Sequence, residues 1–140
     1  VLFSINDVRF SSLICFESTF PDINRRHAKM GADYFIYLVN DGWYTGPPEP
    51  QQHMKQAIFR AIENRKTVVR CANTGISCII DPKGKVKKQI DLNESGQITA
   101  FIEKANRGTF YTKYGNIFAV LTLLVTIWFL FGAIYEKNKK

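Results

Sequence analysis

Cys15 is the residue of this sequence best placed to act as a nucleophile. It follows a β-rich run, Val8–Ile14, and precedes a helix-like stretch that begins near Pro21 and stops at Gly31. Proline suits a first helical turn and glycine a helix end. A thiol where a strand gives way to a helix stands at the carboxyl edge of a sheet, where α/β proteins place their sites. The nearby helix end favours the thiolate, which is the reactive form. The backbone N–H of Phe16 is then positioned to donate to an oxyanion, and Glu17 can orient or polarise a partner. Local features alone also admit a plainer account, in which Cys15 is a small buried hydrophobe. No metal chemistry is expected. The three cysteines include no Cys-x2-Cys pair, and His27 and His53 stand far apart.

The elements that must position Cys15 follow from the pattern of apolar residues. Tyr34–Val39 is a continuous apolar run, as in a strand buried on both faces. Strand, helix, strand is a right-handed parallel βαβ unit. The Gly- and Pro-rich segment from Asp41 to Pro50 is irregular. A second helix carries the stripe Met54, Ala57, Ile58, Ala61 and Ile62. Thr67–Cys71 reads as a strand, Asn73-Thr74-Gly75 as a turn, and Ser77–Ile80 as a strand. Asp81-Pro82-Lys83-Gly84 joins that strand to Val86–Ile90 as a hairpin, and Ile98–Ile102 is expected to be the last strand. The class is α/β with a mixed sheet.

From Ile117 to Tyr135 the sequence carries no charge. As a helix that run is about 28 Å long, against a hydrocarbon core of about 30 Å. It is expected to span a membrane, with Thr122 and Thr126 bonding back to their own helix. Tyr111, Tyr114, Trp128 and Tyr135 include candidates for interfacial aromatics. The basic tail, Glu136–Lys140, places the C-terminus in the cytoplasm and the residues before Tyr114 on the opposite side. The net charge of +7 is concentrated in that tail and in Lys83–Lys88, and no nucleic-acid-binding motif accompanies it, so no nucleic-acid partner is expected. A 46% hydrophobic composition excludes a disordered chain. The chain begins at Val1 without an initiator methionine or a leader, as expected of a fragment or processed piece.

Several blocks match a known family in order and spacing. Ile14-Cys15-Phe16-Glu17, Phe20-Pro21, Gly31-Ala32-Asp33, Asn40-Asp41-Gly42-Trp43-Tyr44, Gln52-His53, Arg60-Ala61-Ile62-Glu63-Asn64, Arg70-Cys71-Ala72-Asn73-Thr74-Gly75-Ile76-Ser77 and Asp81-Pro82-Lys83-Gly84 together resemble the nitrilase (carbon–nitrogen hydrolase) superfamily. Within it they are similar to the C-terminal part of the apolipoprotein N-acyltransferase family, over about residues 8 to 135. The resemblance implies part of a four-layer αββα sandwich (residues 1–110), then a transmembrane helix with its aromatic entry (111–135) and a basic cytoplasmic tail (136–140). It implies a bacterial inner-membrane enzyme with its catalytic part on the periplasmic face. The implied reaction moves an acyl chain from a phospholipid, through a Cys15 thioester, to the N-terminal amine of a diacylglyceryl-cysteine apolipoprotein. No cofactor is implied.

The family's triad is Glu-Lys-Cys, with the glutamate and lysine ahead of the cysteine. Residues 1–14 contain neither, so the piece by itself is expected to be inactive. Lys29 and Glu63 lie on the wrong side of the nucleophile to replace them. The family's usual tyrosine after the nucleophile is Phe16 here, which removes any hydroxyl role. Asn40 and Asp41 either contribute to a substrate pocket or make a turn. Trp43 and Tyr44 are lid residues against an acyl chain or ordinary packing. Arg70 and Asn73 line the site or close hydrogen bonds at a strand end. Arg60 and Glu63 are expected to form a structural ion pair, and Cys71 and Cys78 to lie in the core. The competing readings are a nitrilase or amidase that passes the acyl group to water, and an inactive membrane-bound module.

Overall fold

A computed structural model of the chain describes residues 1–43, 48–102, 104 and 108–139. Its frame is two consecutive parallel crossovers. Strand β2 (Val8–Ile14) leads through a 3-10 helix (Cys15–Thr19) and α1 (Pro21–Lys29) to β3 (Tyr34–Val39). Helix α2 (Glu49–Asn64) then carries the chain to β4 (Thr67–Ala72). Both junctions pair in parallel, with Ile14 beside Leu38 and Leu38 beside Cys71. Strands β5 (Ser77–Ile80) and β6 (Val86–Ile90) extend one side as antiparallel neighbours, and β1 (Leu2–Ile5) extends the other. The sheet order is β1-β2-β3-β4-β5-β6.

Successive crossovers of one hand put α1 and α2 on the same face of the sheet, where they pack together. Leu13, Phe35, Tyr37, Val39, Val68, Cys78 and Ile80 point to that face and bury against Ala28, Ala32, Ala57 and Ala61. The small alanines let the helices approach the sheet closely. Alternation along a strand sends Phe10, Ile14, Tyr34, Ile36, Leu38, Val69 and Cys71 to the opposite face. That face is open: Ile14 is 55% and Leu38 46% exposed. Phe3, Phe10 and Tyr34 stack along it at 5.4 and 5.5 Å between ring centroids.

The expected burial of β3 on both faces therefore holds for one face. The described residues form one sheet and one helical layer, the αβ half of an αββα arrangement. Cys78 is buried as expected, but Cys71 is exposed because it faces the open side.

Three other expectations change. Ile98–Ile102 is not a strand; it makes no ladder with β6, and Phe101 is fully exposed. β1 was not anticipated; Asn6 turns it back on β2 with a positive φ of 52°. In α2 the inward face is His53, Ala57, Arg60, Ala61 and Asn64, rotated from the apolar stripe. Ile62 is instead 41% exposed and covers the hairpin turn at Gly84. The expected Arg60–Glu63 pair forms at 2.8 Å.

Helix α3 (Phe110–Tyr114) docks on α1 and α2. Thr109 caps it by accepting the Thr112 N–H at 2.9 Å, and Thr112 Oγ1 donates to Asn64 Oδ1 at 3.2 Å. Helix α4 (Ile117–Asn138) follows after Gly115. Its span Ile117–Tyr135 is long and apolar enough to cross a membrane and has none of its residues buried within the protein. Thr122 and Thr126 bond to the carbonyls of Ala119 and Thr122, at 3.0 and 2.9 Å.

Candidate active site

Cys15 is the hinge between β2 and the 3-10 helix, and its φ is 49°. A left-handed conformation at a residue with a Cβ is strained, and it persists only where surrounding contacts impose it. Those contacts converge from several elements. Glu17 Oε2 accepts the N–H of Ile14 at 2.8 Å. Ser18 Oγ donates to the Cys15 carbonyl at 2.7 Å. Asn24 Nδ2 donates to the carbonyls of Ser18 and Phe20 at 3.1 and 2.8 Å. Tyr37 in turn donates to Asn24 Oδ1 at 2.5 Å, and its burial holds its own hydroxyl proton well above the usual phenol range. Arg60 Nη1 donates to the Thr19 carbonyl at 2.9 Å.

The thiol itself faces the carboxyl ends of β2, β3 and β4. Its Sγ lies 3.7 Å from the Asn40 carbonyl. Ile14, Cys15, Leu38, Asn40, Cys71 and Asn73 line an open trough of about 400 Å³ there. Asn73 Nδ2 donates to Asn40 Oδ1 at 2.6 Å, tying the ends of β3 and β4 into one rim.

Of the residues anticipated from the sequence, Cys15, Asn40 and Asn73 therefore meet at this trough. Phe16 follows directly, with its ring 57% exposed. Glu17 points back onto the turn. Trp43 is 80% exposed on the loop beyond Asn40, and Tyr44 lies outside the described residues. Asp41 and Arg70 are beneath the trough on the helix side, buried to 2% exposure each. Arg70 Nη2 donates to Asp41 Oδ2 at 2.7 Å, and Arg70 Nη1 also reaches the Ile76 carbonyl. Gly75 is required by this pair, because a Cβ there would stand 2.0 Å from Asp41 Oδ2.

Sequence reasoning missed His53 and Ser18. His53 Nδ1 lies 2.9 Å from Asp41 Oδ1 and its Nε2 3.2 Å from Ser18 Oγ. The available signal was its place on α2: His53 shares a face with Ala57 and Ala61, the small residues that approach the sheet. Among the described residues no cluster of His, Cys, Asp and Glu could hold a metal.

Solved structures of the nitrilase superfamily share this sheet and crossover arrangement. The member Nit3 from Saccharomyces cerevisiae superposes with a TM-score of 0.57 over 68% of this chain and 38% of its own, at 23% identity. A carbon–nitrogen hydrolase from Helicobacter pylori G27 does so with 0.57 over 64% and 39%, at 16% identity. The carbon-nitrogen hydrolase family model matches residues 1–110, and the chain belongs to that family. Its similarity extends further along some relatives. The apolipoprotein N-acyltransferase of Rickettsia bellii (strain RML369-C) is 42% identical over 135 residues, 96% of this chain. That of Geobacter metallireducens is 35% identical over 111 residues, 79% of this chain. The chain spans only 26% and 21% of the length of those two proteins.

Proposed function

We propose that this chain is the nucleophile-bearing part of an N-acyltransferase that matures bacterial lipoproteins. The observation that carries the reading is Cys15, held in a left-handed turn at the carboxyl end of the parallel strands β2 and β3 and followed in the same chain by an apolar helix of membrane-spanning length. The Rickettsia bellii acyltransferase, matched over 96% of this chain and so through both features, supports it.

In this reading the Cys15 thiolate attacks the acyl ester carbonyl of a phospholipid. The Phe16 N–H donates to the oxyanion, the intermediate collapses to a thioester, and a lysophospholipid leaves. The N-terminal amine of a diacylglyceryl-cysteine apolipoprotein then attacks the thioester and takes the acyl chain. Asn40 and Asn73 form the rim that the substrate meets, Trp43 and Tyr44 cover the acyl chain, and Glu17 with the buried Asp41–Arg70 pair shapes the turn. The proton acceptor is assigned to parts of the parent protein outside these residues, since residues 1–14 hold no Glu or Lys. The isolated piece is accordingly proposed to be inactive.

Both substrates are lipids, so a tether raises their local concentration at the site. Transfer to water, as in a soluble hydrolase, would need no such tether. We place α4 across the bacterial inner membrane with residues 1–110 on the periplasmic face and residues 136–140 in the cytoplasm. The test is incubation of the full-length protein with acyl-labelled phospholipid. A label on the protein that hydroxylamine releases is expected, and Cys15→Ala should abolish it. Persistence of that label in Cys15→Ala would overturn the thioester.

A further inference from the structure

We infer that His53 is a positioning residue for the nucleophile, acting through Ser18 on the backbone of Cys15. The inference deepens the proposed reaction and rests on Cys15 being its nucleophile.

The argument is one of connectivity. Arg70, Asp41, His53 and Ser18 are buried to between 1% and 6% exposure, where unpaired polar groups are costly. They are joined in a single line, by contacts of 2.7 Å from Arg70 to Asp41, 2.9 Å from Asp41 to His53 and 3.2 Å from His53 to Ser18. The line ends on the Cys15 carbonyl at 2.7 Å. With Asp41 as acceptor, Nδ1 of His53 carries a proton, which fixes the ring and aims Nε2 at Ser18. Ser18 has one hydroxyl proton and two acceptor positions, so its rotor is set by what His53 and the Cys15 carbonyl present.

Each member comes from a different element: β4, the segment after β3, α2 and the 3-10 helix. The line therefore ties the nucleophile turn to the strands on one side and to α2 on the other. His53 also lies against Phe16, with ring centroids 6.2 Å apart. It thus meets Phe16 directly and reaches Cys15 through Ser18. A packing role alone would not require an imidazole ring to bridge a carboxylate and a hydroxyl that itself donates to the nucleophile's backbone carbonyl.

The experiment uses the full-length protein in detergent micelles, with Ser18→Ala, His53→Ala and His53→Gln. Two rates are read: acyl-enzyme formation from labelled phospholipid, and alkylation of Cys15 by iodoacetamide. Cys78, buried in the core on the helix side of the sheet, serves as an internal control for folding. Ser18→Ala and His53→Ala are each expected to slow both Cys15 reactions by about tenfold or more, with KM for phospholipid unchanged and Cys78 still protected from alkylation. The double variant should be no slower than the slower single one, and His53→Gln should recover part of the loss. Cys15 rates within twofold of wild type in Ser18→Ala would overturn the inference, even where His53→Ala exposes Cys78 and so proves misfolded. If wild-type protein forms no acyl-enzyme with phospholipid, the proposed reaction fails, while the alkylation rates still decide the positioning role.

Discussion

The carboxylate of Glu17 accepts the backbone N–H of Ile14 at 2.8 Å, so the residue two places after Cys15 holds the residue directly before it. That bond spans Cys15 and closes the turn in which its φ is positive. Glu17→Ala should release the turn at little cost to the core, because Glu17 is on the surface. The expected result is a loss of about tenfold or more in Cys15 alkylation with an unchanged far-UV circular dichroism spectrum. Glu17→Gln, which keeps an acceptor oxygen, should lie between wild type and alanine.

The Asp41–Arg70 pair makes a different prediction. Both side chains are fully buried, so removing one strands a charge. Arg70→Ala should destabilise the chain by about 3–5 kcal/mol. Asp41→Ala combined with Arg70→Met should cost less than the sum of the singles, since no unpaired charge remains. Urea unfolding in micelles measures both.

Gly75→Ala tests the same pair sterically. The new methyl would meet Asp41 Oδ2 at 2.0 Å, and the carboxylate cannot withdraw without leaving Arg70 and His53. A loss of about 1–3 kcal/mol is expected from overpacking alone, with Cys15 alkylation slowed in parallel. Gly96→Ala, where the nearest atom is Ile90 Cδ1 at 3.2 Å, should be far milder.

Cys78 predicts an alkaline weakness. Burial raises its thiol from 9.0 to about 11, with the Arg70 charge opposing. The folded state thus holds a proton that the unfolded state gives up. The corresponding stability is complete below the unfolded value and is lost as pH rises through about 11. Stability should fall by roughly 2–3 kcal/mol across that window, and Cys78→Ala should flatten this part of the curve.

Helix α4 is tested by charge. Leu124→Arg puts a guanidinium near the middle of the apolar span, where insertion costs about 2.5–3.5 kcal/mol or more. The variant should be extracted from membranes by alkaline carbonate, whereas the wild type should stay in the pellet. Extraction of the wild type would remove the membrane-spanning assignment.

The elements that sequence patterns reveal here are those whose signals are local. Pro21 and Gly31 bracket α1, Asp81–Gly84 makes the β5–β6 turn, and the uncharged run at the C-terminus becomes α4. The errors arise where a partner decides. Ile98–Ile102 has strand composition but does not pair with the free edge of β6, the sheet's last strand. Cys71 has the character of a core residue, but its side of the sheet is uncovered. The face of α2 was misjudged because His53, Arg60 and Asn64 are polar and yet buried, each bonded to a group distant in sequence. Asp41 was legible as part of a motif, but its burial depends on Arg70 and Gly75, which follow some thirty residues later.

Helix α2 carries His53 one turn from its start and Asn64 at its end, about 16 Å apart at 1.5 Å per residue. Asn64 receives Thr112 of α3, just ahead of the apolar helix. One stiff rod therefore gauges the standoff between the Cys15 turn and the point where the chain enters α4. In the proposed membrane placement, a thicker or thinner bilayer would move α4 up or down, but the thiol would keep its height above that entry point.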